Sequence, residues 1–502
     1  MREQILYRST RGTDRVTSAQ AIVSGIAPDG GLYVPETMPQ PIADFAALAK
    51  KDYRGIAREV MGLFLTDFTE EEIAACVDAA YDEKFDTPEI APLAKVGENF
   101  FLELYHGQTI AFKDMALSIL PHLMTAAAKK CGLTEDILIL TATSGDTGKA
   151  ALAGFADVPG TRIAVFFPQG GVSPVQEAQM VTQTGGNVCV TAVRGNFDDA
   201  QTGVKKLFAD RALGADLAAQ GVRLSSANSI NIGRLVPQVV YYVYACARLM
   251  AEGELAPGEL LNVCVPTGNF GNILAAYYAR QIGAPIGKLV CASNRNRVLF
   301  DFFRNGTYDR NREFYLTSSP SMDILISSNL ERLIFSLVGE DPEADRALMA
   351  ELSARGAYDI SPDMAARLEM FRSGFATEEE TSAEISRVWG EYQYLLDPHT
   401  AVASAVAEKY RRESGDAAKM LIVSTASPYK FTGTVLPAVQ KAEGKEAEAA
   451  GDGFAQARAL KALTGWEIPA AVTDLEGAPV LHRGVCDIDR MEETVRAFAE
   501  RG

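Results

Sequence analysis

Lys113 is the residue whose type and setting could do covalent chemistry. It follows apolar Ala111 and Phe112 and precedes a helix-like pattern from Met115 to Lys130. An amine at such a loop–helix junction is partly desolvated, which lowers its pKa and frees the neutral form for Schiff-base chemistry. The same position also suits a surface lysine whose stem lies on apolar neighbours. Three other stretches supply company. Pro266-Thr-Gly-Asn-Phe-Gly-Asn272 falls between an apolar run and a helical pattern. Backbone N–H groups and a helix N-terminus bind phosphate there, though a tight turn would use the same residues. Thr143-Ser-Gly-Asp-Thr-Gly148 opens another helix. Its hydroxyls, amides and Asp146 could hold a carboxylate plus a ring oxygen, or could simply cap that helix. Asn228-Ser-Ile-Asn-Ile-Gly-Arg234 puts an arginine in the first turn of an apolar helix, suited to bidentate capture of an oxyanion or to anchoring an interface.

Two nucleotide readings fit poorly. The 266–272 loop lacks GxGxxG spacing, and the next strand ends at Ser293-Asn294 where an acidic ribose ligand would be expected. Thr143–Lys149 ends in Gly-Lys, but Thr143 stands where a Walker loop needs glycine and Ala150 where it needs Ser or Thr. A phosphate group is expected; a nucleotide is not.

These loops require elements that converge them. Residues 1–95 read as a mostly helical N-terminal domain, with helices at Thr17–Ile26, Ile42–Ala49, Tyr53–Phe64 and Glu70–Tyr81, the last capped by Thr69. Short apolar strands then alternate with helices: strands at Ile137–Thr141, Arg162–Phe167 and Val188–Val193, helices at Lys149–Phe155, Pro174–Thr184 and Phe197–Asp210. A second series follows, with Arg234–Met250 helical, Leu260–Val265 extended, Gly271–Gln281 helical and Leu289–Ala292 extended. Such alternation predicts parallel sheets built of βαβ units. The fold class is therefore α/β, with two parallel-sheet lobes and a cleft between them that suits a cofactor. Residues 115–225 make the small lobe; 96–114 and 226–502 make the large one, with helical elaboration at 295–395, including Ser321–Glu331, Pro342–Arg355 and Thr377–Tyr394. Leu421–Ser424 is a further strand, and 438–453 reads as a solvated helix or mobile loop.

The 502 residues are 47% hydrophobic, ample for several cores, and the formal net charge of −17 argues against a nucleic-acid or anionic-membrane partner. Seven scattered cysteines with no CxxC pair point to buried thiols in a reducing compartment. Met1–Gly12 is too polar for a signal peptide, and Leu235–Met250 is too short to span a bilayer. A cytoplasmic protein is expected.

A phosphate loop, a desolvated lysine and a second anion site together describe a pyridoxal-phosphate enzyme. The residues also carry a resemblance. Glu103-Leu-Tyr-His-Gly-Gln-Thr-Ile-Ala-Phe-Lys-Asp114, the 143–148, 228–234 and 266–272 stretches, Asp397-Pro-His-Thr400 and Ser424-Thr-Ala-Ser-Pro-Tyr-Lys-Phe431 resemble the motifs of the threonine synthases, in that family's order. Ser24-Gly-Ile-Ala-Pro-Asp-Gly-Gly-Leu-Tyr-Val-Pro35 resembles their leader, so the likeness covers about 25–430. Single motifs are shared by the wider fold-type-II, tryptophan-synthase-β-like group; the full set is more specific.

The resemblance implies roles. Lys113 would hold pyridoxal 5'-phosphate covalently and later move protons. Gly268, Asn269, Phe270, Gly271 and Asn272 would cradle its phosphate. Thr425 would hydrogen-bond the pyridine nitrogen, a neutral partner that favours elimination over transamination. Asp146 takes the place beside the ring hydroxyl often filled by Asn. Thr143, Ser144, Thr147, Asn228 and Arg234 would receive the phosphate and carboxylate of a small-molecule substrate. Gln108 and Ser427 depart from the family's usual proline and histidine.

The implied reaction is conversion of O-phospho-L-homoserine and water to L-threonine and phosphate. That would be a lyase of threonine biosynthesis, with hydroxyls such as Thr109, Ser144 and Thr147 placing the water. A related phospho-lyase or a phosphoserine-using synthase would share the cofactor loops. A degenerate homologue that only binds ligands would not need Lys113.

Overall fold

The computed structural model describes residues 4–143, 145–172, 174–446 and 451–500. Two sheets form its centre. The small-lobe sheet runs Gly484–Cys486, Val188–Val193, Thr161–Pro168, Asp136–Ala142, Val222–Ser225, all parallel. The large-lobe sheet runs Phe371–Phe375, Ile286–Ser293, Leu261–Pro266, Met420–Ser424, Asn99–Glu103, Leu93–Val96. Its first five strands are parallel and the last is antiparallel. The strands are apolar runs because helices cover both faces of a parallel sheet.

Topology alone brings the sequence motifs together. In parallel α/β sheets, ligands bind beyond the carboxyl ends of the strands. Three neighbouring large-lobe strands end there: Leu261–Pro266 runs into 266–272, Met420–Ser424 into Thr425, and Asn99–Glu103 into the Lys113 loop. In the small lobe, Asp136–Ala142 delivers the 143–148 loop.

Helix Ile232–Ala251 is buried on every side, unlike an amphipathic surface helix. The N-terminal domain covers one flank, with Tyr53 edge-on to Tyr244 at 5.2 Å and to Tyr81 at 5.1 Å. That domain holds helices Ser18–Ser24, Tyr53–Phe64 and Glu70–Ala80, and Thr69 and Glu72 form the capping box at the start of the last. Tyr7–Ser9, Arg15–Val16 and Tyr33–Pro35 make a small antiparallel sheet beside them.

Some expectations change. The pattern from Met115 to Lys130 divides into Asp114–Leu117 and Leu120–Lys130, because Pro121 cannot donate to the preceding turn. The freed bend lets helix Asp146–Phe155 approach so closely that a Cβ on Gly154 would lie 2.1 Å from the Leu117 carbonyl. Ile42–Ala49 shrinks to one turn, Phe45–Leu48. Ser321–Glu331 is not a helix: a 3-10 turn at Pro320–Met322 and a loop precede helix Leu330–Leu337. Asp323 accepts hydrogen bonds from Asn294, Asn296 and Thr317, a tertiary anchor that overrides the local helical pattern. The chain end, expected in the large lobe with the rest of 226–502, returns to the small one as strand Gly484–Cys486 and helix Met491–Ala499. Among the described residues, no helix is long and apolar enough to cross a membrane.

Candidate active site

The Lys113 loop is laid against the Thr425 segment like a short strand. Phe112 N–H donates to the Thr425 carbonyl at 2.8 Å, and Ser427 N–H donates to the Ile110 carbonyl at 3.0 Å. Asp114 closes the loop from inside, accepting from Thr109 N–H at 2.8 Å and the Thr109 hydroxyl at 2.6 Å. Thr109 is thus a staple of the loop. Lys113 ends mostly covered, its side chain 13% exposed, with Nζ donating to Ser321 Oγ at 3.1 Å and lying 3.6 Å from Asp146 Oδ2. Burial lowers the pKa of this amine, and the charges of Lys430 and Arg234 lower it further against the pull of Asp146.

Asp146 is the hub of the cluster. Its Oδ1 accepts from Lys430 Nζ at 2.9 Å and Gln176 Nε2 at 3.0 Å, and its Oδ2 accepts from Ser321 Oγ at 3.1 Å. Burial would raise this carboxyl, but the Lys430 and Lys113 charges outweigh it and hold it far below the carboxylate range. Lys430 also donates to the Thr109 carbonyl at 2.9 Å. Lys149, another buried amine whose pKa burial pulls down to about 8, donates to Gln183 at 2.5 Å.

Ser321 owes its position to a histidine. Its N–H donates to His399 Nε2 at 3.2 Å, so His399 carries its proton on Nδ1 and gives it to Asp397 Oδ1 at 2.8 Å. Asp397 caps helix Pro398–Ser414 and also accepts from Thr400, whose hydroxyl oxygen takes the Thr425 N–H at 3.3 Å. The 397–400 motif therefore fixes both Ser321 and Thr425.

The 268–272 loop precedes helix Gly271–Gln281, whose first-turn N–H groups have no intrahelical partner. Phe270 takes a left-handed φ of 64°, uncommon for an aromatic residue. Gly268 is required by crowding, since a Cβ would lie 2.4 Å from the Ser321 carbonyl. The loop's carbonyls are gripped from behind: Ser327 Oγ donates to Gly268 O at 2.6 Å, and Asn329 N–H and Nδ2 both donate to Asn269 O at 3.0 Å. Asn272 Oδ1 accepts from Tyr241 and Tyr242, whereas its Nδ2, buried, has no partner among the described residues.

Arg234 is 3% exposed and gives one hydrogen bond, from Nη1 to the Ala227 carbonyl at 2.9 Å. Its Nε has no partner among the described residues, and burial lowers its pKa to about 10. A buried guanidinium left open in this way can take an oxyanion.

The other site candidates lie at the rim or within loops. Asn228 is exposed and Thr147 half-buried. Thr143 shapes its own turn, its hydroxyl accepting from Gly145 and Gly148 N–H at 3.0 and 2.9 Å. Ser144 lies outside the described residues. Gln108 is exposed, and Ser427 is buried, accepting from Tyr429 N–H at 3.3 Å. Sequence reasoning gave no role to Ser321, Gln176, Lys430 or the His399–Asp397 pair. The last three residues sat within quoted motifs, and only a lysine amid Pro428, Tyr429 and Phe431 hinted at burial.

The set fits pyridoxal phosphate. A mostly covered amine of lowered pKa can hold its aldehyde carbon, while the helix N-terminus and the open Asn272 amide can receive its phosphate.

Comparisons agree with the geometry. Residues 6–81 match the model for the threonine synthase N terminus, 86–426 that for pyridoxal-phosphate dependent enzymes, and 400–496 that for the threonine synthase C-terminal region. Threonine synthase-like 1 of Macaca fascicularis is 38% identical over 442 residues, 85% of this chain, and the chain spans 58% of that relative's length. Threonine synthase of Corynebacterium glutamicum is 38% identical over 453 residues, 87% of this chain and 91% of the relative. The crystal structure of PLP-bound threonine synthase from Brucella melitensis superposes with a TM-score of 0.86 at 37% identity, covering 99% of both chains.

Proposed function

The chain belongs to the threonine synthase family of pyridoxal-phosphate-dependent enzymes, and from that premise we propose that it converts O-phospho-L-homoserine and water to L-threonine and phosphate. The observation that carries this reading is Arg234: a buried, open cation whose charge is felt by Lys113, as a phosphorylated substrate beside the reacting amine requires.

Bound pyridoxal phosphate supplies the electron sink that makes hydrogens on Cα and then Cβ acidic. Lys113 Nζ is the base for the Cα proton, and burial, by lowering its pKa, favours the neutral amine that this role needs. Ser321 Oγ stands between Lys113 and Asp146, accepting from the amine and donating to the carboxylate, and so orients the amine while Asp146 stays ionised. Gly268, Asn269, Phe270, Gly271 and Asn272 hold the cofactor phosphate, Thr425 the ring nitrogen, and Asp146 the side of the ring hydroxyl. Arg234 holds the substrate phosphate and stabilises it as it leaves Cγ, with Asn228, Thr147, Thr143 and Ser144 as the further partners of the substrate's phosphate and carboxylate. A proton then reaches Cγ, water adds its hydroxyl to Cβ, and Lys113 returns a proton to Cα, giving one threonine per phosphate. The lobes divide near 115 and 226, with the chain end added to the small one. Five of the seven cysteines are buried, in keeping with a reducing, cytoplasmic setting.

Incubation with O-phospho-L-homoserine in ¹⁸O-water tests the assignment. Threonine labelled in its hydroxyl, with one phosphate released per threonine, is the expected result. A yield dominated by 2-oxobutyrate and ammonia would reject the synthase in favour of a phospho-lyase.

A further inference from the structure

Arg332, in helix Leu330–Leu337, is 2% exposed. Its guanidinium donates to three oxygens on three segments: Nε to the Tyr33 carbonyl at 2.9 Å, Nη2 to the Ile230 carbonyl at 2.6 Å, and Nη1 to Asn329 Oδ1. The neighbouring carboxylate is engaged elsewhere, Glu331 accepting from Arg11 at 2.9 and 2.6 Å and from the Thr10 hydroxyl at 2.6 Å.

Each segment that Arg332 touches leads to the site. Ile230 lies in the loop that ends at Arg234. Asn329 grips the Asn269 carbonyl of the 268–272 loop and reaches Ser229 at 3.4 Å. Tyr33 belongs to the N-terminal domain, which also meets the 228–234 loop, where Asn231 Nδ2 donates to Ile22 O at 2.9 Å, and the strand before it, where Ser225 Oγ donates to Val23 O at 3.3 Å. A planar fork with donors in fixed directions holds three acceptors in one geometry; a lysine ammonium satisfies some of them without fixing their plane.

We propose that Arg332 is a positioning residue that sets the two anion loops, 228–234 and 268–272, relative to each other and ties both to the N-terminal domain. This rests on the reading that those loops receive the substrate and cofactor phosphates. One substitution at Arg332 then weakens two ligands at once, although the residue touches neither.

Arg332→Lys and Arg332→Gln test it. Apo-protein titrated with pyridoxal phosphate reads the 268–272 loop by visible absorbance. Calorimetric titration of the holoenzyme with inorganic phosphate reads the Arg234 loop. For Arg332→Lys, both dissociation constants are expected to rise about tenfold, and KM for O-phospho-L-homoserine to rise similarly while kcat changes less than about threefold. Arg332→Gln should show the same pattern more strongly; if it fails to fold, Arg332→Lys decides alone. A lowered melting temperature with both dissociation constants and KM unchanged overturns the proposal, as does loss confined to one ligand. Neither binding arm needs turnover, so a wild-type protein that makes no threonine rejects the functional reading and leaves these outcomes to judge Arg332.

Discussion

Arg234 and Arg332 are both buried arginines whose pKa burial lowers to about 10, yet their surroundings differ. Arg332 gives its donors to three oxygens of the protein. Arg234 gives one hydrogen bond and keeps Nε open among the described residues. An arginine cannot shed its proton at physiological pH, so a buried one must find acceptors. Where the fold supplies them, the residue belongs to the scaffold; where the fold withholds them, a ligand can supply the acceptor. Burial alone does not separate site from scaffold. The hydrogen-bond account does.

The largest expected effect breaks the comparison on stability. Arg332→Met strands the Tyr33 and Ile230 carbonyls and the Asn329 side chain, at a cost of about 3–5 kcal/mol in urea unfolding. Arg234→Met strands one carbonyl and removes an open buried charge, so it should stay within about 1 kcal/mol of the parent. Equal losses would erase the distinction.

Next in size is the reverse effect on catalysis. Arg234→Met removes a charge-assisted contact of roughly 1.5–3 kcal/mol, lowering kcat/KM about ten- to a hundred-fold. Cofactor affinity should hold, because the 268–272 loop is separate. A parallel fall in cofactor affinity would make Arg234 a scaffold residue after all.

A smaller effect belongs to Ser321. Ser321→Ala removes the hydroxyl between Lys113 and Asp146, and kcat should fall about five- to tenfold with KM little changed. A change in KM alone would move Ser321 from the lysine's side of the site to Arg234's.

That serine also marks where sequence reading stops. Tyr53–Phe64, Val188–Val193, Gly271–Gln281 and Pro342–Arg355 stand at their expected bounds, because periodicity and local caps such as Asp52 and Asp341 encode them. Ser321 lay in an expected helix, and the Asp323 contacts that dissolve it come from residues up to 29 positions away. Strand Gly484–Cys486 shows the same limit, since alternation marks a strand without naming its neighbour. The motif loops were legible because their residue types are chemical. Their mutual distances were not, because sheet order sets them.

The scaffold region holds one open group of its own, and it supplies the sharpest test. Asp345, beside Arg11 and Glu331, is fully buried, and neither carboxylate oxygen has a hydrogen-bond partner among the described residues. Were every open buried charge a ligand site, this would be one. A carboxylate has an escape that arginine lacks: it can take a proton. Burial, with the Glu331 charge adding and Arg11 opposing, raises the Asp345 pKa to about 8. In the unfolded chain the group titrates near about 4, so between those values the folded state keeps a proton that the unfolded state releases. Stability therefore falls as pH rises through that window and levels off above it. Asp345→Asn has no proton to lose, so its stability advantage over the parent should widen by roughly 1 kcal/mol per pH unit between pH 5 and pH 8. Urea unfolding at several pH values reads this directly. A difference that stays flat across the window would mean that Asp345 is ionised and paired in solution, and that an open group in this region carries the same meaning as Arg234.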